Sequence, residues 1–123
     1  MRRLFIAATL AAVLMAGVSF AHGQRQTERY IPIGQSPGVS GKSAWIGTIA
    51  ATDPKARTLT VTLADSRYTV AVTERTRIWL DRSRLKQTAL NGSYSDLQPG
   101  RRVEVKYGGA RGEGAAEWIK VRM

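Results

Sequence analysis

Trp45-Ile46-Gly47-Thr48-Ile49, Thr58-Leu59-Thr60-Val61-Thr62-Leu63 and Tyr68-Thr69-Val70-Ala71-Val72 are three strand-like runs. Between them stand Asp53-Pro54-Lys55-Ala56-Arg57 and Ala64-Asp65-Ser66. In the middle run the alternation is strict, with Leu59, Val61 and Leu63 on one side and three threonines on the other. A period of two puts one face in a core and the other in water. The Asp-Pro stretch is turn chemistry, because the aspartate can accept from the following backbone and proline pre-sets φ. Three antiparallel strands with tight connections follow.

Downstream the same period returns. Thr73-Glu74-Arg75 interrupts it and reads as a bulge or bend, which lets a sheet curl. Thr76 to Leu80 then resumes with Ile78 and Leu80 inward. Asp81 to Gly100 has no period, but Ser93 and Asp96 are spaced to cap a short helical turn that Pro99-Gly100 ends. Arg101 to Tyr107 and Ala115 to Arg122 are the last strands, joined by the glycine-rich loop Gly108 to Gly114. The expected fold is all-β, a small five-stranded OB-like barrel with one short helical turn between strands three and four. An SH3-like barrel is the alternative.

Met1-Arg2-Arg3, the apolar run Leu4 to Gly17 and small residues at Ser19 and Ala21 have the layout of a secretory leader cleaved after Ala21. Cleavage after Gly23 also fits, and an uncleaved anchor is the alternative. The expected organisation is a cleaved signal peptide over 1–21, a flexible linker over 22–43 and the barrel over 44–123. Within the linker, Tyr30-Ile31-Pro32-Ile33 is the one apolar patch with something to dock. A periplasmic or secreted monomer with no stable membrane insertion after cleavage is the expected product.

The chain carries 19 Lys and Arg against 9 Asp and Glu, a net charge of +10. Removing Arg2 and Arg3 leaves seventeen against nine, still +8. Such a balance favours anionic partners. With no cysteine in the sequence, disulfides, thiolate metal sites and a lipidated cysteine are excluded.

Catalytic chemistry finds little footing. Gly41-Lys42-Ser43 resembles the end of a phosphate loop, but Ser36 stands where the first glycine belongs and a strand follows instead of a helix. His22 is the single histidine, so no metal site and no cofactor are expected. Serines lack a histidine base in the domain, and the acids, including Asp53, Asp65, Asp81, Asp96, Glu113 and Glu117, show no acid–base spacing. A non-catalytic role is expected.

Basic residues interleaved with aromatics remain. Arg75, Arg77, Trp79, Arg82, Arg84 and Lys86 occupy one stretch, and strand parity puts Arg77 and Trp79 opposite Ile78 and Leu80. Arg102 and Lys106 face outward on the fourth strand, as do Trp118, Lys120 and Arg122 on the last. These eleven residues are the expected binding surface. Its partner would be an anionic envelope polymer, a lipid or a protein, with single-stranded nucleic acid as the alternative.

Ile46-Gly47-Thr48-Ile49, Thr58-Leu59-Thr60-Val61, Val72-Thr73 with Thr76, Asp96-Leu97-Gln98-Pro99-Gly100-Arg101-Arg102-Val103-Glu104-Val105 and Ala116-Glu117-Trp118-Ile119 together carry a resemblance. They resemble the small exported bacterial domains of the DUF5666 type. That resemblance spans about Ala44 to Arg122 and implies an OB-like barrel with no assigned activity. Its marks are structural, so it transfers no catalytic residue.

Overall fold

The computed structural model describes residues 27–108 and 114–123. The expected leader, both cleavage points, His22 and residues 109–113 of the glycine-rich loop lie outside them. Among the described residues no helix is long and apolar enough to cross a membrane.

Among the described residues seven strands form one sheet: β1 (Ala44–Asp53), β2 (Thr58–Leu63), β3 (Ser66–Ala71), β4 (Arg77–Asp81), β5 (Leu90–Asn91), β6 (Arg102–Tyr107) and β7 (Ala116–Arg122). Their order is β3-β2-β1-β6-β7-β4-β5, and the sheet does not close. Five strands and closure are therefore not what the pairing gives. The turn at 73–76 divides the third expected strand into β3 and β4, which take different neighbours, and β5 adds two residues from the region without period. All pairings are antiparallel except β4 with β7.

Local chemistry accounts for the connections. Asp53 Oδ1 accepts the N–H groups of Lys55 (3.1 Å) and Ala56 (3.2 Å), closing the β1–β2 turn. Ala64 opens the β2–β3 turn at a φ of 51°, a left-handed value that strains an L residue with a Cβ. Thr73 N–H donates to Thr76 Oγ1 (3.0 Å), and that hydroxyl donates to the Ala116 carbonyl (2.7 Å), pinning the 73–76 turn against β7. Asp96 Oδ2 accepts the Ser93 N–H (2.8 Å), so the short turn over Tyr94–Asp96 starts where the sequence places it, as 3-10 helix.

The inward positions of every long strand meet in one core built on Ile49, Leu59, Val61, Val70, Val72, Ile78, Val103, Val105, Ile119 and Val121. At one end Leu97 and Tyr94 plug it, the Tyr94 hydroxyl donating to the Thr58 carbonyl at 2.6 Å. Trp45, Tyr68 and Tyr107 gather elsewhere along the inner face, with the Trp45 ring 4.9 Å from each tyrosine. Gly47 is the close-approach point of β1. A Cβ there would lie 2.3 Å from the Thr62 carbonyl oxygen and 2.8 Å from Val61 Cγ1, so no larger residue fits.

The sheet has a second covered face. Residues 27–43, expected as a free linker, form a strap of successive turns laid over the outer side of β1, β6, β7 and β4. Val39 and Ser40 N–H groups reach the Ser36 carbonyl, and Lys42 and Ser43 N–H groups reach that of Val39. Ile33 and Ser36 are buried. Val39 packs on Ala44, Trp79 and Trp118, a small cluster separate from the main core. The proposed docking of the Tyr30–Ile33 patch is realised through Ile33, while Tyr30 stays exposed.

Candidate functional site: a cleft at the edge of the strap

Strand parity places Arg77, Trp79 and Asp81 of β4, Arg102, Glu104 and Lys106 of β6, and Trp118, Lys120 and Arg122 of β7 on the outer face. The register agrees, setting Glu104 opposite Lys120 and Arg77 beside Trp118. Most of that face is nevertheless dry. Trp79 is 5% exposed, Trp118 9% and Lys120 1%. These three expected binding residues are thus interior ones, because the strap covers them.

The charges under the strap explain how it is held. Lys120 Nζ donates to Glu28 Oε1 (2.8 Å) and to Ser36 Oγ (2.9 Å) and lies 4.7 Å from the centre of the Trp118 ring. Ser36 Oγ also donates to Glu28. Glu104, fully buried, accepts the Gly34 N–H (2.9 Å) and the Ser40 hydroxyl (2.6 Å). Asp81 accepts the N–H groups of Ile33 (3.0 Å) and Ser83 (2.9 Å). Burial pushes the Asp81 carboxyl up, but the Ser83 side chain, the two N–H donors and the nearby Arg122 charge outweigh it and hold it below its ordinary value of 3.8. Asp81, Glu104 and Lys120, the buried charged residues among those described, are each hydrogen-bonded to the strap, which is the condition for leaving them there.

Other expected binding residues are dispersed. Lys106 pairs with Glu117 at 3.1 Å. Arg82 Nε donates to the Thr88 carbonyl (2.8 Å), and the Arg122 carbonyl accepts from Arg101 Nη1 (3.1 Å). Arg84 and Lys86 stand exposed on the turn after β4, and Arg102 is exposed at the start of β6.

Arg75, Arg77, Trp79 and Trp118 are the four that the fold brings together. They line a half-open cleft of about 450 Å³ with Glu28, Thr73, Ala115, Ala116 and Glu117, where the strap begins and the parallel β4–β7 pair starts. The two indole rings lie 5.6 Å apart at 32° and present to the cleft only the small part that the strap leaves uncovered. The pinned 73–76 turn fixes Arg75, whose N–H donates to Thr73 Oγ1 (3.2 Å), and sets Arg77 as the first residue of β4. Both arginines are exposed, and among the described residues neither has a carboxylate within 4.0 Å. Two exposed guanidiniums beside a small apolar surface suit an anion that carries an apolar body.

The residues missed in the sequence are the latches: Glu28, Ser36, Ser40, Asp81 and Glu104. One signal for them was available, an outward glutamate at a position that pairs with an outward lysine on the next strand. Set against family models, curated proteins and solved structures, the chain has no match.

Proposed function

We propose that this chain is an exported, non-catalytic binding module with an OB-like arrangement, and that it recognises an anionic envelope polymer at the Arg75–Arg77 cleft. The observation that carries the reading is the convergence on one cleft of two exposed arginines, with no carboxylate within 4.0 Å among the described residues, and the uncovered parts of two indoles. An acidic polysaccharide offers both halves of the required chemistry, a carboxylate for a guanidinium and an apolar ring face for the little indole surface left open. The leader-like first 21 residues and the net charge of +10 support export and an anionic partner. The OB-like reading is supported by treating β3 and β4 as halves of one bent strand. The first half pairs with β2, the second runs parallel to β7, and a bridge between Ala71 and Ala115 lies between them. So counted, with two-residue β5 set aside, five strands remain.

Replacing both arginines, Arg75→Glu with Arg77→Glu, tests the reading. Titration with a polyuronate should weaken at least tenfold while the melting temperature holds, since both side chains are exposed. Unchanged affinity would remove the cleft from consideration. Oligothymidine serves as the second titrant. Tighter binding to it than to the polyuronate, with a steep salt slope, would transfer the site to single-stranded nucleic acid.

A further inference from the structure

The described residues expose four large apolar side chains: Tyr30, Tyr68, Leu85 and Leu90. Three of them belong to the β5 edge of the sheet. Leu85, 55% exposed, and Leu90, 46% exposed, lie in and just after the β4–β5 connection. Tyr30 is joined to the same edge by its neighbour Arg29, which donates to Asn91 Oδ1 at 3.1 Å and whose guanidinium lies 4.6 Å from the centre of the Tyr30 ring.

Leu85 is held in water by backbone chemistry. Its N–H and that of Gln87 both donate to the Arg82 carbonyl (3.0 and 3.2 Å), and the Lys86 N–H donates to the Ser83 carbonyl (3.0 Å). Arg82 Nε clamps the base of the loop on the Thr88 carbonyl, and every residue from Ser83 to Thr88 is exposed. An ordered, projecting turn thus carries a leucine at its tip between Arg84 and Lys86. From residue 82 to residue 95 the sequence has three cations and no acid.

From this juxtaposition we propose that the β4–β5 turn docks on an anionic lipid surface, with Leu85 and Leu90 entering the acyl boundary and Arg82, Arg84 and Lys86 lying among the headgroups. Charge decides between occupants. A second copy of the chain would bring three cations against three cations. A nucleic acid would take the cations but has no use for two aliphatic side chains, which offer no stacking face. A projecting turn with apolar tip and cationic shoulders is the arrangement that interfacial binding rewards, through buried apolar area and attraction to anionic lipid together. None of these residues lines the Arg75–Arg77 cleft, so the two sites stand or fall separately.

The absence of cysteine allows the turn to be watched directly in the full chain. Leu85→Cys is labelled with an environment-sensitive fluorophore, and Ser66→Cys, exposed at the start of β3, serves as the reference. On vesicles of phosphatidylglycerol and phosphatidylcholine, the label at position 85 should shift to the blue and be quenched by a quencher placed in the acyl chains, while the reference stays aqueous. With a third, distant label site, Leu85→Ser should weaken partitioning about tenfold, and neutralising Arg84 or Lys86 should weaken it about fivefold each. Vesicle association with the position-85 label still in water would overturn the proposal, since another part of the chain would then be the anchor. Equal response to pure phosphatidylcholine would overturn the headgroup assignment. Equal protection of the label by polyglutamate would assign the turn to an acidic protein instead.

Discussion

Two single residues concentrate the constraints on this fold. Gly47 lets β1 pass against β2 where a Cβ would sit 2.3 Å from the Thr62 carbonyl oxygen. A rigid backbone cannot give way as a side chain would, so Gly47→Ala should destabilise by about 3 kcal/mol in a denaturant titration. Asp81 acts through its charge. Its folded-state pKa lies below the ordinary value, so the stabilisation it contributes is complete above the unfolded-state pKa near 4 and disappears as pH falls through the folded value. Asp81→Asn should therefore lower stability at neutral pH and flatten the acid limb below about pH 4. A wild-type acid limb that survives the substitution unchanged would show that other carboxylates set it.

At the scale of elements, the strap is an N-terminal segment held by polar latches over an apolar patch. Glu104→Ala would leave the Gly34 N–H and the Ser40 hydroxyl, both in part-buried bonds, without their acceptor and would empty a fully buried position under the strap. An unsatisfied buried donor costs about 1 to 3 kcal/mol and a part-buried one less, so a loss of about 2 kcal/mol is expected, with a red-shifted tryptophan emission as Trp79 and Trp118 gain water. Glu104→Gln retains one acceptor oxygen and should recover part of the loss. Element boundaries were readable from the sequence: β2 begins at Thr58 and ends at Leu63, and the break at Thr73-Glu74-Arg75 separates β3 from β4. Inward residues were readable as well, because Leu59, Val61, Val103, Val105, Ile119 and Val121 follow a local period. The destination of the outward face was not. Whether Lys120 meets water or Glu28 is decided by a partner far away in the chain, and alternation carries no information about that. The candidate site suffered for the same reason. Arg75 and Arg77 stay exposed beside Trp79 and Trp118, but burial of those indoles and of Lys120 turns a broad binding face into a narrow cleft.

For the whole molecule, a net charge of +10 is resolved into separate environments. One lysine is sealed under the strap, one pairs with Glu117, two arginines open on the cleft, and the β4–β5 turn carries an unopposed group of its own. The two proposed surfaces therefore respond to different substitutions, Arg75 and Arg77 on one side and Leu85 and Lys86 on the other. The place of β7 has a consequence for synthesis. It is the strand that comes last in the sequence, yet it sits between β6 and β4 in the sheet, and its Lys120 grips Glu28 across 92 residues. Before residues 116–122 emerge, β4 lacks its parallel neighbour and the strap lacks the lysine that binds it. The β1–β2–β3 meander pairs neighbours in sequence, whereas contacts of such long range assemble slowly. The strap can therefore lock only once β7 is in place, which makes it the late-forming layer of this fold.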